Sequence, residues 1–293
     1  MNELTKRIAF GLPAAVVAVV VVFAGGAALA ALLAVASALA AWEFFRIARS
    51  AGHAPLSDVG CALAGLLPLS VHAWQLNYVH PRYAYLAVVM LLLFTAAIFT
   101  RGVAGKPLGA AATTIMGVLY TGGLLSFGYA IRYHDYAAGG VQLGALPIAA
   151  GGVLLALPVL LTWATDTGAY AVGRTVGGRK LIPSVSPGKT VSGAVGGVVV
   201  SVIVTWLYVV FVLRPVAQLA MTVKGIVLFG LLISVAAQIG DIFESLLKRE
   251  AGVKDSSTLL PGHGGVLDRL DSLLFVLPTA HLVLGWLLIP APK

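Results

Sequence analysis

Nine stretches of roughly twenty mostly apolar residues, each long enough to cross a bilayer, dominate this chain: 8–24, 27–48, 59–77, 83–100, 109–131, 147–172, 191–213, 222–245 and 266–289. In hydrocarbon every backbone N–H and C=O must find its partner inside the protein, which confines such stretches to helices. The expectation is an all-α, polytopic integral membrane protein with about nine transmembrane helices. Composition removes the soluble alternative, because 10% charged residues is well under the roughly 25% that a soluble surface carries. The first stretch follows Lys6 and Arg7 and has the make-up of a secretory signal, with Ala28-Leu29-Ala30 at the cleavage position. It leads straight into a second long apolar run, however, and is therefore read as a retained span.

Basic residues resist translocation, so their distribution over alternate loops gives the orientation. With the N-terminus inside, fourteen of the nineteen Lys and Arg are cytoplasmic, against Arg82, Arg132, Arg214, Lys224 and Lys293 on the other side. An odd number of spans then puts the C-terminus outside. The net charge of +8 fits loops facing anionic lipid, not a nucleic-acid surface. Cys61 is the single cysteine, which leaves no internal disulfide and no cysteine-based metal site. No soluble domain, linker, low-complexity tract or clear internal repeat remains to be placed. The chain reads as a single membrane domain over 1–293, with apolar spans in 1–131 and, in 147–293, the spans and cytoplasmic polar loops in which any chemistry is to be sought.

Seven of the eleven acidic residues lie in two polar stretches, 166–193 and 241–271, both on the cytoplasmic side. At helical spacing Asp241, Glu244 or Ser245, and Lys248 share one face, as do Asp268, Asp271 and Ser272 at the start of the last span. A carboxylate within a span costs about 2.5–3.5 kcal/mol on insertion scales, so it normally faces a partner, a polar cavity or an ion. Snorkelling or local pairing, Glu244 with Lys248 and Asp268 with Arg269, is the structural alternative. Acidic residues on two consecutive spans, joined by the basic, glycine-rich loop 250–265, favour the functional reading. Glycines around His263 let backbone N–H groups converge on an anion, and Lys248, Arg249 and Lys254 supply countercharge for phosphate. Neighbouring carboxylates suit a divalent ion bridging phosphate oxygens. Ser186-Pro187-Gly188-Lys189-Thr190 lacks P-loop spacing and a preceding strand, which leaves phosphate contact or a capped loop. Asp166 lies deep in its run among small residues, open to a metal or substrate contact or to an interhelical bond. Glu43, His72, His80, His134 and His281 are isolated, and packing or an interfacial position is expected for each.

The residues Ser245-Leu246-Leu247-Lys248-Arg249, Lys254-Asp255, Pro261-Gly262-His263-Gly264-Gly265 and Asp268-Arg269-Leu270-Asp271-Ser272 resemble the C-terminal signature of the phosphatidate cytidylyltransferase (CDP-diacylglycerol synthase) family over about 28 residues. Asp166-Thr167-Gly168-Ala169-Tyr170, Gly173-Arg174, Ser186-Pro187 and Lys189-Thr190 fit the family's preceding polar segment, and Trp42-Glu43 fits at the end of the second span. Where relatives continue with Glu-Gly after Lys-Thr, this chain has Ser192-Gly193.

The resemblance implies transfer of CMP from CTP to phosphatidic acid at the cytoplasmic face of a cell inner membrane. It implies Mg2+, with room for a second, monovalent cation such as K+, and it allows a homodimer. Asp241 and Asp268 are then expected at the metal, with Asp166, Glu244 and Asp271 as further ligand candidates. Lys248, Arg249 and Lys254 are expected on the triphosphate, and Ser186, Lys189, Thr190, Ser245, His263, Gly264, Gly265 and Arg269 on substrate. Asp271 either ligates or orients Arg269. A phosphate monoester is largely dianionic at neutral pH, so no general base is required and His263 is expected to donate a hydrogen bond. The rival readings are a CTP-dependent polyprenol or long-chain alcohol kinase, which would release CDP, and an ion-coupled transporter with carboxylates at mid-membrane.

Overall fold

The computed structural model describes residues 3–80, 83–102, 104–133, 137–138, 141–142, 148–260 and 262–291. Of the residues named above, Arg82, His134, Pro261 and Lys293 lie outside them. Each of the nine apolar stretches is helical: α1 (Glu3–Ala24), α2 (Gly26–Ser50), α3 (Ser57–Gln75), α4 (Tyr83–Arg101), α5 (Pro107–Tyr133), α6 (Ile148–Val176), α7 (Val191–Ala217), α8 (Val223–Glu250) and α9 (Leu267–Leu287). Among the described residues six of these are long and apolar enough to cross a membrane: α2, α5, α6, α7, α8 and α9. The protein is thus an all-α, multi-pass membrane protein. Short antiparallel strand pairs join some helices, including a hairpin of Lys180–Ile182 with Ser186–Thr190 that the sequence reading did not contain.

The chain forms two compact units. One takes the N-terminal helix to Val21, then Gly26–Tyr129 and Leu247–Leu270. Its core is built from α2, α3 and α5, with Leu29, Leu33, Phe45, Ala64 and Ala110 buried. Small residues allow the close approach: a Cβ on Gly60 or Gly117 would overlap the Phe45 ring, and one on Gly122, in a π-wound turn of α5, would run into the Ala64 backbone. The start of α3 is fastened to α5 by Leu56 N donating to Thr114 Oγ1 at 2.8 Å. The loop that carries the C-terminal signature belongs to this unit, with the N-terminal helices and not with the other polar segment.

The second unit comprises Val22–Gly25, Ala130–Leu246 and Asp271–Lys293. Here α6 and α7 pack through Gly168, Gly173, Gly193, Gly196 and Gly197, where a Cβ would press on Val200, Thr190, the Ala169 carbonyl, Val172 and the Thr165 carbonyl. Such stripes of small residues are how helices approach closely in lipid. Hydroxyls and amides add interhelical bonds: Ser201 Oγ donates to the Gly230 carbonyl at 2.9 Å and Tyr208 Oη to the Val153 carbonyl at 2.8 Å. Arg132, counted above as an outer loop charge, is 4% exposed and donates to the Val22 and Phe23 carbonyls at 3.1 and 3.0 Å. It is a helix C-cap, where a cation offsets the terminal carbonyls.

Candidate functional site

In the first unit the signature loop runs from the end of α8 to the start of α9. It turns at Gly252, Gly262 and Gly264, with φ of +69°, +77° and +80°, a region where a side chain is strained. The Leu260 N–H donates to the Gly264 carbonyl and the His263 N–H to the Leu260 carbonyl, both at 2.9 Å. The anion on which the loop's N–H groups converge is the carboxylate of Asp268. Its Oδ2 accepts from Gly265 N at 2.8 Å, Ser256 N at 3.0 Å and Ser256 Oγ at 2.9 Å, while Oδ1 accepts from Lys248 Nζ at 2.7 Å. Both side chains of that ion pair are largely withdrawn from solvent, 11% exposed for Lys248 and 7% for Asp268.

The pairing of Lys248 with Asp268 is one that the local alternatives, Glu244 with Lys248 and Asp268 with Arg269, did not include. Adjacent helix residues point in different directions, and Arg269 is exposed. Arg249 is exposed and donates to the Val253 carbonyl at 3.3 Å, Lys254 and Asp255 are exposed, and Glu244 is fully buried. The His263 ring lies against Gly11 of α1, 2.9 Å from where a Cβ would stand.

Glu43 corrects the expectation of a packed, isolated side chain. It is fully buried, and its carboxylate accepts from Ser256 Oγ at 2.9 Å, Ser257 Oγ at 2.5 Å, Val266 N at 3.0 Å and Leu267 N at 2.6 Å. The one hint in the sequence was Trp42-Glu43 at the end of an apolar run, with nothing to connect it to the loop. His72 does pack as expected, bonded through Nδ1 to Tyr129 Oη at 2.6 Å.

The second unit holds a polar cavity of about 570 Å³ lined by Asp166, Tyr170, Arg174, Lys180, Lys189 and Asp241, among others. Lys189 Nζ is ion-paired to Asp241 Oδ2. Ser245 Oγ stands 3.4 Å from Asp241 Oδ1, one helical turn further along α8. Both members of the Lys189 pair are partly exposed, at 29% and 31%. Thr190 ends the hairpin and caps α7, its Oγ1 accepting from Gly193 N at 3.1 Å. Ser192, at the position where the family resemblance leads one to expect Glu, bonds Thr190 Oγ1 and the Gly177 carbonyl. That position therefore fastens α7 to the end of α6 instead of presenting a charge. Ser186 pairs with Ile182 in the hairpin, and Asp271 Oδ1 accepts from Ser272 N at 2.6 Å.

Of the residues singled out from sequence, Asp166, Lys189, Thr190 and Asp241 line this cavity, and Tyr170, Arg174 and Lys180 line it without having been singled out as contacts. Arg174 Nη1 donates to Tyr170 Oη at 2.6 Å. With Arg174, Lys180 and Lys189 against Asp166 and Asp241, the lining carries one net positive charge, suited to an anion. A separate cavity of about 510 Å³ in the first unit is lined by apolar side chains and Ser70, and offers no chemistry.

Among the described residues no three His, Cys, Asp or Glu side chains gather into a metal cage. The donors at hand are carboxylate and hydroxyl oxygens, the hard ligands that Mg2+ takes.

The sequence profile of the cytidylyltransferase family matches residues 5–287. The chain is 46% identical over 126 residues to a phosphatidate cytidylyltransferase of Bacillus subtilis, covering 43% of this chain and 45% of that protein. It is 48% identical over 125 residues to the protein of that name from Staphylococcus saprophyticus, covering 43% and 46%. With the one from Haemophilus influenzae it shares 42% over 128 residues, 44% of each chain. The chain thus spans a little under half the length of the curated relatives it matches.

Proposed function

We propose that this chain, which belongs to the cytidylyltransferase family, transfers CMP from CTP to phosphatidic acid, forming CDP-diacylglycerol and pyrophosphate. The observation that carries the proposal is a repeated arrangement. In each compact unit a carboxylate on the expected catalytic list is ion-paired to a lysine, Lys248 with Asp268 and Lys189 with Asp241. A lysine held by a carboxylate is compensated while the site is empty of substrate, and can turn to a phosphate when one arrives. The carboxylate it leaves is an oxygen ligand for a hard cation. Phosphate and metal together are what nucleotidyl transfer needs.

In this reading Asp241 and Asp268 are the principal Mg2+ ligands, with Asp166, Glu244 and Asp271 as further candidates and room for a monovalent cation such as K+. Mg2+, when bound, neutralises charge developing on the triphosphate. Lys248, Arg249 and Lys254 hold the triphosphate. Lys189, with Arg174 and Lys180, draws the second anion into the cavity, Thr190 lines its wall, and Ser186 is a further substrate contact. The lipid phosphate is already ionised, so its attack on the α-phosphorus requires no general base. His263 and Ser245 donate hydrogen bonds. We place all nine helices across the bilayer of a cell inner membrane, N-terminus and polar loops on the cytoplasmic side, where CTP and an inner-leaflet lipid both have access.

The test is an assay of the purified protein with phosphatidic acid, Mg2+ and CTP labelled at the α-phosphate. Label is expected in the lipid phase, and is expected to vanish with Asp268→Asn. If label stays in water while γ-labelled CTP phosphorylates a long-chain alcohol, the protein is a kinase and the proposal is wrong.

A further inference from the structure

We infer that Glu43 is a positioning residue: from α2 it holds both ends of segment 256–267 and, through Ser256, sets the carboxylate of Asp268. A carboxylate offers about four acceptor positions, and those of Glu43 are filled. Oε1 takes Ser257 Oγ and Val266 N at 2.5 and 3.0 Å, and Oε2 takes Ser256 Oγ and Leu267 N at 2.9 and 2.6 Å. Each position faces a protein donor in a fully buried setting, which leaves no open side for a metal or a phosphate, so Glu43 acts through the groups it holds. Two of its donors are N–H groups at the first turn of α9, which have no partner within their own helix. The helix dipole and four donors together make a buried charge tolerable at a place where an unpaired one would be prohibitive.

The segments it joins are remote, with Glu43 bonded to Ser256 and to Leu267, 213 and 224 residues further along the chain. Ser256 Oγ is the link to Asp268, standing 2.9 Å from Glu43 Oε2 and 2.9 Å from Asp268 Oδ2. Its single proton serves one carboxylate at a time, while its own N–H donates to Asp268 throughout. Gly265 belongs to the same device: a Cβ there would collide with Ser256 Oγ and with both oxygens of Glu43. Displacing Glu43 therefore frees the loop at both ends and shifts Asp268 without touching a substrate.

The test is hydrogen exchange and steady-state kinetics on the full chain in detergent, comparing wild type with Glu43→Gln. Glutamine keeps one acceptor oxygen but turns an NH2 toward two donors, so half of the clamp is lost. Exchange in segment 256–267 is expected to rise about tenfold or more, with hairpin 180–190 unchanged. The effect on turnover rests on the proposed role of Asp268: kcat falls about tenfold or more, while KM for CTP rises less, because of the three triphosphate cations only Lys248 is joined to the clamp and Arg249 and Lys254 lie beyond it. If Glu43→Gln does not fold, Ser257→Ala removes one donor and leaves the charge, and the same segment is expected to exchange faster. Unchanged exchange in the segment, or faster exchange in segment and hairpin alike, overturns the clamp. A wild-type protein without CMP transfer overturns the proposed reaction instead, and the exchange comparison still decides Glu43.

Discussion

Lys248 Nζ lies 2.7 Å from Asp268 Oδ1, joining the last turn of α8 to the first turn of α9 with both side chains nearly out of solvent. Breaking a buried pair from one side leaves the other charge uncompensated, at a cost of about 3–5 kcal/mol. Lys248→Met is therefore expected to lower the thermal midpoint in detergent markedly, and Asp268→Asn to abolish CMP transfer. A Lys248→Met protein that melts with the wild type would remove the pair from the stability of the loop.

The Lys189 and Asp241 pair should behave differently, because its side chains are 29% and 31% exposed. Partly exposed pairs contribute about 0–1 kcal/mol, so Lys189→Ala should melt close to wild type. Its apparent KM for CTP or for phosphatidic acid is expected to rise about tenfold. Titrating each substrate in turn shows which anion Lys189 meets, and normal values for both would take it out of the site.

Lys254 is exposed beside the loop glycines, and Lys254→Ala should mainly weaken CTP binding, with kcat little changed. An unaltered KM for CTP would separate Lys254 from the triphosphate.

Two glycines of one loop should respond in opposite ways. Gly252→Ala meets no neighbouring atom and only strains a backbone at φ +69°, at a cost of about 1 kcal/mol. Gly265→Ala drives a methyl into Glu43 and Ser256. Activity and thermal midpoint should survive the first change and be lost in the second, and equal behaviour would contradict the close approach.

Thr190 Oγ1 caps α7 by accepting from Gly193 N at 3.1 Å. Thr190→Val should cost about 1 kcal/mol of stability, within the 0.5–2 kcal/mol spread of such caps. Thr190→Ser should restore it. The comparison of thermal midpoints decides whether the hydroxyl or the methyl matters.

The sequence by itself determined that the nine apolar stretches are helical, because hydropathy over twenty residues and the need to pair every backbone group act locally. It also pointed to the polar segments proposed to carry chemistry, since carboxylates and lysines are costly in an apolar chain and stand out. What it did not contain was the choice of partners. Glu244 for Lys248 and Arg269 for Asp268 were the local alternatives that spacing offered, and neither contained the pair that Lys248 forms with Asp268 across a loop. Asp241 took its lysine from a hairpin 52 residues earlier. Glu43 looked like a lone acid at the end of a span, because its four donors lie more than two hundred residues away. A buried charge is satisfied by whichever groups helix packing brings within about 3 Å, and only the tertiary structure decides which those are.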